Sequence, residues 1–423
     1  MKTYLSFTLG SLIALSACGQ PKPLEEEVPG RKAPAPTKVT SAHIVIPAEK
    51  ILTGADQTEK YLGLLKGKRV GMVVNPTSVI GKQTSVDSLL KRGVKIQKIF
   101  GPEHGFRGDA SAGVKVEDAV DAKTGIKAVS LYGKHSTPTA DDLADIDIMV
   151  FDIQDVGVRF YTYINTLQYV MEACAANNKP LLILDRPNPN GFYIDGPILD
   201  PKFKSGIGVQ PIPIVHGLTI GEYAQMLNGE GWLKDRLKCK LIIIKNANYN
   251  HDMAYTLPVK PSPNLNTQQS ILLYPTTCLF EGTYLNHGRG TLFPFTVVGA
   301  PYLKGKFDFS YTPKSIKGMS ETPLFQDQLC YGLDLRNYDV SNFRKTKTIN
   351  LEWIIELYQA SPKKEDFFNT KLSKEMGTIE RLVGVSDFRQ QIIDGKSESE
   401  IRASWEPGLS RYKTMRKKYL LYP

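Results

Sequence analysis

"IDIMVFDIQDVG", Ile146 to Gly157, decides the fold. Its centre, Ile148 to Phe151, is apolar at every position, so neither face of a strand built from it can meet water. Strands of that kind belong to parallel sheets covered by helices on both sides. The run then breaks into Asp152, Gln154, Asp155 and Gly157, a polar loop where a chain leaving a buried strand has to turn. Working outward, the same design recurs. "KRVGMVVNP" (68–76), "VKIQKIFGPEHG" (94–105), "IKAVSLYG" (126–133), "PLLILDRPNPNG" (180–191), "IPIVHGLTIGE" (212–222) and "KLIIIKNAN" (240–248) each read as a strand, most of them running into a polar loop. Between them, "TSVDSLLKRG" (84–93) is helical. "YTYINTLQYVMEACAANN" (161–178) sets Ile164, Leu167, Met171 and Cys174 on one helical face before Lys179-Pro180 ends it.

This alternation predicts an α/β chain with a doubly wound, mostly parallel, Rossmann-like sheet. It stops after "GRGTLFPFTVVGAP" (288–301), beyond which strand-like "QLCYGLDL", helical "LEWIIELYQ" and a Lys/Glu-rich helical tail indicate a smaller α+β auxiliary domain. The expected organisation is a lipoprotein signal peptide at 1–18, a disordered tether at 19–42, the Rossmann-like domain at 43–299 and the auxiliary domain at 300–423. At the start, "LSFTLGSLIAL" after Lys2 is too short to span a bilayer, and "LSAC" brings small residues up to Cys18. That pattern resembles a lipobox, with Cys18 lipidated and the protein anchored in the cell envelope, on the periplasmic face or at the surface. The Pro-rich, charged segment that follows cannot bury enough apolar surface to fold.

Of 423 residues, 41% are hydrophobic and 23% charged, and the formal net charge is +10. The basic residues are scattered, with no stripe interleaved with aromatics, so an anionic small substrate is favoured over nucleic acid. The remaining cysteines, Cys174, Cys239, Cys278 and Cys330, form no close pair and read as buried free thiols. Nothing in the sequence sets an oligomeric state.

Ligands of an open parallel sheet bind beyond the carboxyl ends of the strands, which gives the polar loops one address. There lie Glu103, His104 and Arg107; Asp152, Gln154, Asp155 and Arg159; Asp185, Arg186, Asn188 and Asn190; and His216 with Glu222. No Gly-x-Ser-x-Gly turn, phosphate cradle or dinucleotide fingerprint is present, and no paired histidines argue for zinc, so neither cofactor nor metal is expected. Carboxylates with Arg, Asn, Gln and Tyr remain. That set suits glycoside hydrolysis, in which one acid protonates the leaving oxygen and a second carboxylate or its equivalent assists.

"GPEHGFRG", "FDIQDVGVRFYTY", "LDRPNPNG", "HGLTIGE", "PSPN", "LFEGT" and "GRGT", in this order, resemble the exo-β-N-acetylmuramidases of the NamZ type, glycoside hydrolase family 171. The resemblance covers nearly all of the chain after the tether. It implies a Rossmann-like catalytic domain without nucleotide, an auxiliary domain, and release of N-acetylmuramic acid from the non-reducing ends of peptidoglycan fragments during cell-wall recycling. Where a polar residue would be expected after "GRGT", this chain has Leu292-Phe293-Pro294.

Within that frame Glu103 is the first choice for general acid/base. Asp155, Asp152 and Glu281 compete for the second carboxylate, with Asp155 preferred. Arg159 or Arg186 suits the lactyl carboxylate. His104, Arg107, Gln154, Tyr161, Tyr163, Asn188, His216, Glu222, Asn264 and Arg289 complete the substrate-facing set, although Asn188 and Asn190 equally suit a Pro-rich turn. The competing reading is a non-catalytic lipoprotein that binds wall fragments in the same cleft.

Overall fold

The structure is a computed structural model that describes residues 50–103, 105–107, 118–133, 135–369, 371 and 378–423. The signal peptide, the tether, Cys18 and His104 lie outside the described residues. The main sheet has seven strands: β1 (Arg69–Val74), β2 (Lys95–Gly101), β3 (Ala119–Val120), β4 (Lys127–Ser130), β5 (Ile148–Asp152), β6 (Leu181–Leu184) and β7 (Leu241–Ile244), in the order β3-β4-β2-β1-β5-β6-β7. All neighbours pair parallel except the short edge strand β3.

The opening strand shows why. In β5, Met149 and Phe151 enter one apolar core while Ile148 and Val150 enter another, so the sheet is covered on both faces as its composition requires. The first face carries α1 (Tyr163–Ala176), on which Ile164, Leu167, Met171 and Cys174 are all buried.

From β1 the chain steps outward to β2 and β4, then crosses back to β5 on the other side of β1. The reversal places a crevice beyond the carboxyl ends of β1 and β5, the position where such sheets take ligands.

One expected strand is absent. Residues 212–222 contribute no strand to the sheet; Val215 makes only isolated bridges, to Val158 and Asp195. Pro211 and Pro213 withhold the amide donors a central ladder needs. Ile212, Ile214 and Val215 are buried nonetheless, as an extended segment packed over other loops.

A second, antiparallel sheet follows: β8 (Val297–Ala300), β9 (Ser310–Tyr311) and β10 (Cys330–Asp334), in the order β8-β10-β9. Its apolar residues, with those of α2 (Glu352–Ala360) and α3 (Glu406–Arg416), join the same core that covers the α1 face of the main sheet. The four cysteines are buried and free.

Candidate active site

The turn after β2 carries Glu103, half-buried, to the edge of a cavity of about 100 Å³. Phe160 and Tyr161 just before α1 and Tyr163 at its start, Ser262 and Asn264 from the "PSPN" loop, and Tyr274, Arg289 and Phe295 complete most of its wall. Their aromatic rings form an edge-to-face chain. Phe160 and Tyr161 meet Tyr274 at 5.4 and 5.9 Å between centroids, and Tyr274 meets Phe295 at 5.0 Å. Such contacts fix ring orientation. Tyr161 donates its hydroxyl to the Pro261 carbonyl at 2.8 Å, which ties α1 to the "PSPN" loop.

Three features give this cavity its chemistry. First, the Tyr132 phenol, just past β4, stands beside the Glu103 carboxylate. Burial and the neighbouring Glu103 push it up to about 12, so it stays protonated. Second, Arg289 donates through Nη2 to Glu281 Oε1 at 2.7 Å and through Nε to His287 Nε2 at 2.9 Å. Burial alone would lift the Glu281 carboxyl, but the Arg289 guanidinium outweighs it and holds it below the usual carboxylate range. Burial pushes His287 down to about 4, so its ring is a neutral acceptor for Arg289. Third, Asn264 donates to the Met319 carbonyl at 3.0 Å while its buried Oδ1 has no partner among the described residues.

Asp155 lies behind this wall. It is 4% exposed, accepts from the Gly157 amide at 2.7 Å, and is close enough for its charge to raise the Tyr161 and Tyr163 phenols beyond the lift that burial gives them. Gly157 has φ +79°, and a Cβ there would collide with the Asn188 amide at 2.2 Å, so the turn needs glycine. His216 Nε2 stands 3.6 Å from Asp155 Oδ2, and its Nδ1 accepts from Leu218.

Other expected contact residues make their hydrogen bonds within the scaffold and do not line this cavity. Arg159 is fully buried and donates to four backbone carbonyls, Pro197 (2.9 Å), Ile212 (2.8 Å), Leu382 (2.8 Å) and Val383 (2.6 Å). Without a carboxylate beside it, burial pushes its pKa down to about 9. Arg186 is closed against Asp152 at 2.7 Å, both side chains almost wholly buried. Neither guanidinium is among the cavity-lining groups, and Asp152 is the buried counter-ion of Arg186. Gln154 donates to the Asp155 and Pro187 carbonyls, and Asn188 holds Leu218 and Asn190. Glu222 closes a helix-capping box with Thr219 and receives His251 at 3.0 Å. Arg107 grips Asp121 at 2.5 and 2.7 Å and holds that carboxyl at about 2.

Tyr132 is the residue that sequence reasoning passed over. The signal was present, because "IKAVSLYG" is a strand of this sheet and Tyr132 stands just beyond its carboxyl end. Tyr274, Phe295 and His287 carried no comparable sign, being aromatic residues in segments far from those strand ends.

Comparison with known proteins bears on the whole described chain. Residues 70–269 match the N-terminal, and residues 272–422 the C-terminal, family model described as exo-β-N-acetylmuramidase NamZ. A peptidoglycan β-N-acetylmuramidase, NamZ, from Bacillus subtilis (strain 168) is 41% identical over 391 residues, covering 88% of this chain and 92% of that protein. Crystal structures of two DUF1343 family proteins from Bacteroides fragilis also match. One is 43% identical with a TM-score of 0.81, the other 28% identical with a TM-score of 0.74, and each covers 88% of this chain and 99% of its own.

Proposed function

The chain belongs to the NamZ exo-β-N-acetylmuramidase family, and from that premise we propose that its cavity removes N-acetylmuramic acid from the non-reducing ends of peptidoglycan fragments, with Glu103 as general acid/base. The observation that carries the assignment of Glu103 is its place: among the described residues it is the one carboxylate in the wall of the cavity that also holds Arg289 and Asn264. Glu103 gives its proton to the glycosidic oxygen as the bond to the leaving sugar breaks, then takes one from the incoming water. Tyr132 fixes the carboxyl for that transfer. Arg289, held in place by Glu281 and His287, faces the lactyl carboxylate, for which a planar guanidinium is the matching donor. The unpartnered Oδ1 of Asn264 suits the N–H of the acetamido group. Glu281, kept ionised by its ion pair with the cavity-lining Arg289, is the charge that stabilises the oxocarbenium-like transition state in this reading.

Glu103→Gln assayed on a chromogenic N-acetylmuramide is expected to lose about 10²–10⁴-fold in turnover while still binding N-acetylmuramic acid; retained turnover overturns the assignment. We further propose that Cys18 carries a lipid that holds the enzyme at the cell envelope. Cys18→Ser is expected to move the protein from the membrane fraction to the soluble one, and unchanged fractionation removes the anchor.

A further inference from the structure

A groove of about 550 Å³ shares no lining residue with the catalytic cavity. It is lined by residues 191–195, which leave the "NPNG" turn, and by Leu409, Lys413 and Arg416 of α3. Asp195 pairs with Val215 through an isolated bridge, but among the described residues Phe192, Tyr193 and Ile194 belong to no strand or bridge. A run of main chain without a ladder partner is one along which an extended peptide can be added.

Two buried polar atoms of residues at this groove lack a partner among the described residues. Tyr193 is 3% exposed and its hydroxyl makes no hydrogen bond; His251 is 6% exposed and its Nδ1 makes none. His251 Nε2 faces Glu222 Oε1 at 3.0 Å, so Nε2 is the donor and Nδ1 the acceptor of the neutral ring. Gly191 keeps the space beside that nitrogen clear, since a Cβ there would stand 3.0 Å from it. Buried polar atoms are almost always satisfied, and a ligand with both N–H and C=O groups would satisfy this pair.

The charges of the groove are unevenly spent. Lys347 is taken by Asp252 at 3.0 Å, and Arg402 by Asp195 at 2.6 Å and Glu398 at 2.6 Å. Arg416 donates through Nε to the Gly217 carbonyl at 3.0 Å and has no carboxylate within ion-pair distance among the described residues. Lys413, three residues earlier on the same helix face, stands 3.7 Å from Glu406 in an exposed pair. Such a pair holds its cation weakly, so two positive charges are available to an anion. The aromatic residues of the groove, Phe192, Tyr193 and Trp405, are each 5% exposed or less, and the Arg344 guanidinium already covers Phe192 at 4.2 Å. No open ring face is left on which a sugar could stack.

We propose that this groove is a second ligand site and that it binds a short acidic peptide, with its carboxylates on Arg416 and Lys413 and its amide groups on His251 Nδ1 and the Tyr193 hydroxyl. The test is titration calorimetry with N-acetyl-Ala-Glu-Ala, its neutral counterpart N-acetyl-Ala-Gln-Ala-amide, and N-acetylglucosamine. The acidic peptide should bind the wild type, more weakly as salt rises, and the other two should not compete with it. Lys413→Gln is expected to weaken binding about fivefold and Glu406→Gln, which frees Lys413, to tighten it about twofold. Both changes are at exposed positions, and an unchanged denaturation midpoint checks the fold. Saturating N-acetylmuramic acid should leave the peptide affinity unmoved, because the two sites have separate walls. Equal binding of the neutral peptide, displacement by either sugar, an absence of binding into the millimolar range, or variants that fail to move in opposite directions would each overturn the proposal. Binding is read without turnover, so a failure of the muramidase reading would leave this result standing, and the reverse holds too.

Discussion

Arg289 donates to a carboxylate and an imidazole at once, and both interactions need the forked geometry of a guanidinium. Arg289→Lys should therefore raise KM for N-acetylmuramides by about 10-fold or more, the order expected when a bidentate contact is lost, with a smaller effect on kcat. Tyr132→Phe should do the reverse, lowering kcat several-fold with little change in KM, since its phenol stands beside Glu103 and is not among the cavity-lining groups. His287 adds a pH dependence. Its folded pKa of about 4 lies below the ordinary imidazole value of 6.5, so the folded state binds fewer protons between those values. Stability is then lost as pH falls from 6.5 to 4, by up to about 3 kcal/mol. His287→Gln should flatten that part of the profile in chemical denaturation. At this scale the sequence was informative about which side chains stand at strand ends and silent about their partners. Glu103, Tyr161, Tyr163, Asn264 and Arg289 meet at one cavity, whereas Arg159 and Arg186, chosen for the same charge, are spent on carbonyls and on Asp152. Residue type reveals charge; only folding reveals what neutralises it.

Elements were legible where hydrophobic runs were long and uninterrupted. All the main-sheet strands except the short edge strand β3 announced themselves, as did α1. The segment 212–222 misled because its apolar content looks like a buried strand, while Pro211 and Pro213 forbid the ladder. Its burial has a thermodynamic consequence through Asp185, at the end of β6, which accepts from Thr219, Gly221 and Tyr422. Burial raises the Asp185 carboxyl from 3.8 to about 6 despite those donors. The folded state therefore binds more protons between pH 4 and 6, and this contribution falls as pH rises through that window. The sign is opposite to that of His287. Asp185→Asn, compared with wild type at pH 4.5 and 7, should remove a difference of about 2–3 kcal/mol; identical profiles would refute the burial argument. Arg159→Leu tests the other end of the same packing. Stripping four carbonyls of a buried donor should cost about 3–5 kcal/mol, read as a lower denaturation midpoint.

For the molecule as a whole, the alternating pattern was enough to give a doubly wound sheet. It was not enough to give the second sheet's order or the short helices of the last hundred residues, whose packing depends on distant partners. The apolar core that covers one face of the main sheet continues without a break into that C-terminal region. A fragment ending at residue 269 would expose this face, and it is expected to be insoluble or to lack near-ultraviolet dichroism; a well-folded fragment would contradict the shared core.

Arg159 immediately precedes the aromatic wall of the cavity, yet one of its two terminal nitrogens binds only the carbonyls of Leu382 and Val383, more than two hundred residues later. A recombination event that replaced the C-terminal half with a foreign one would have to supply two acceptors at the same spot or leave a buried cation without them, one residue before the cavity wall. The two halves are thus bound to be inherited as a pair, and exchanges between lineages should succeed only when the breakpoint keeps both.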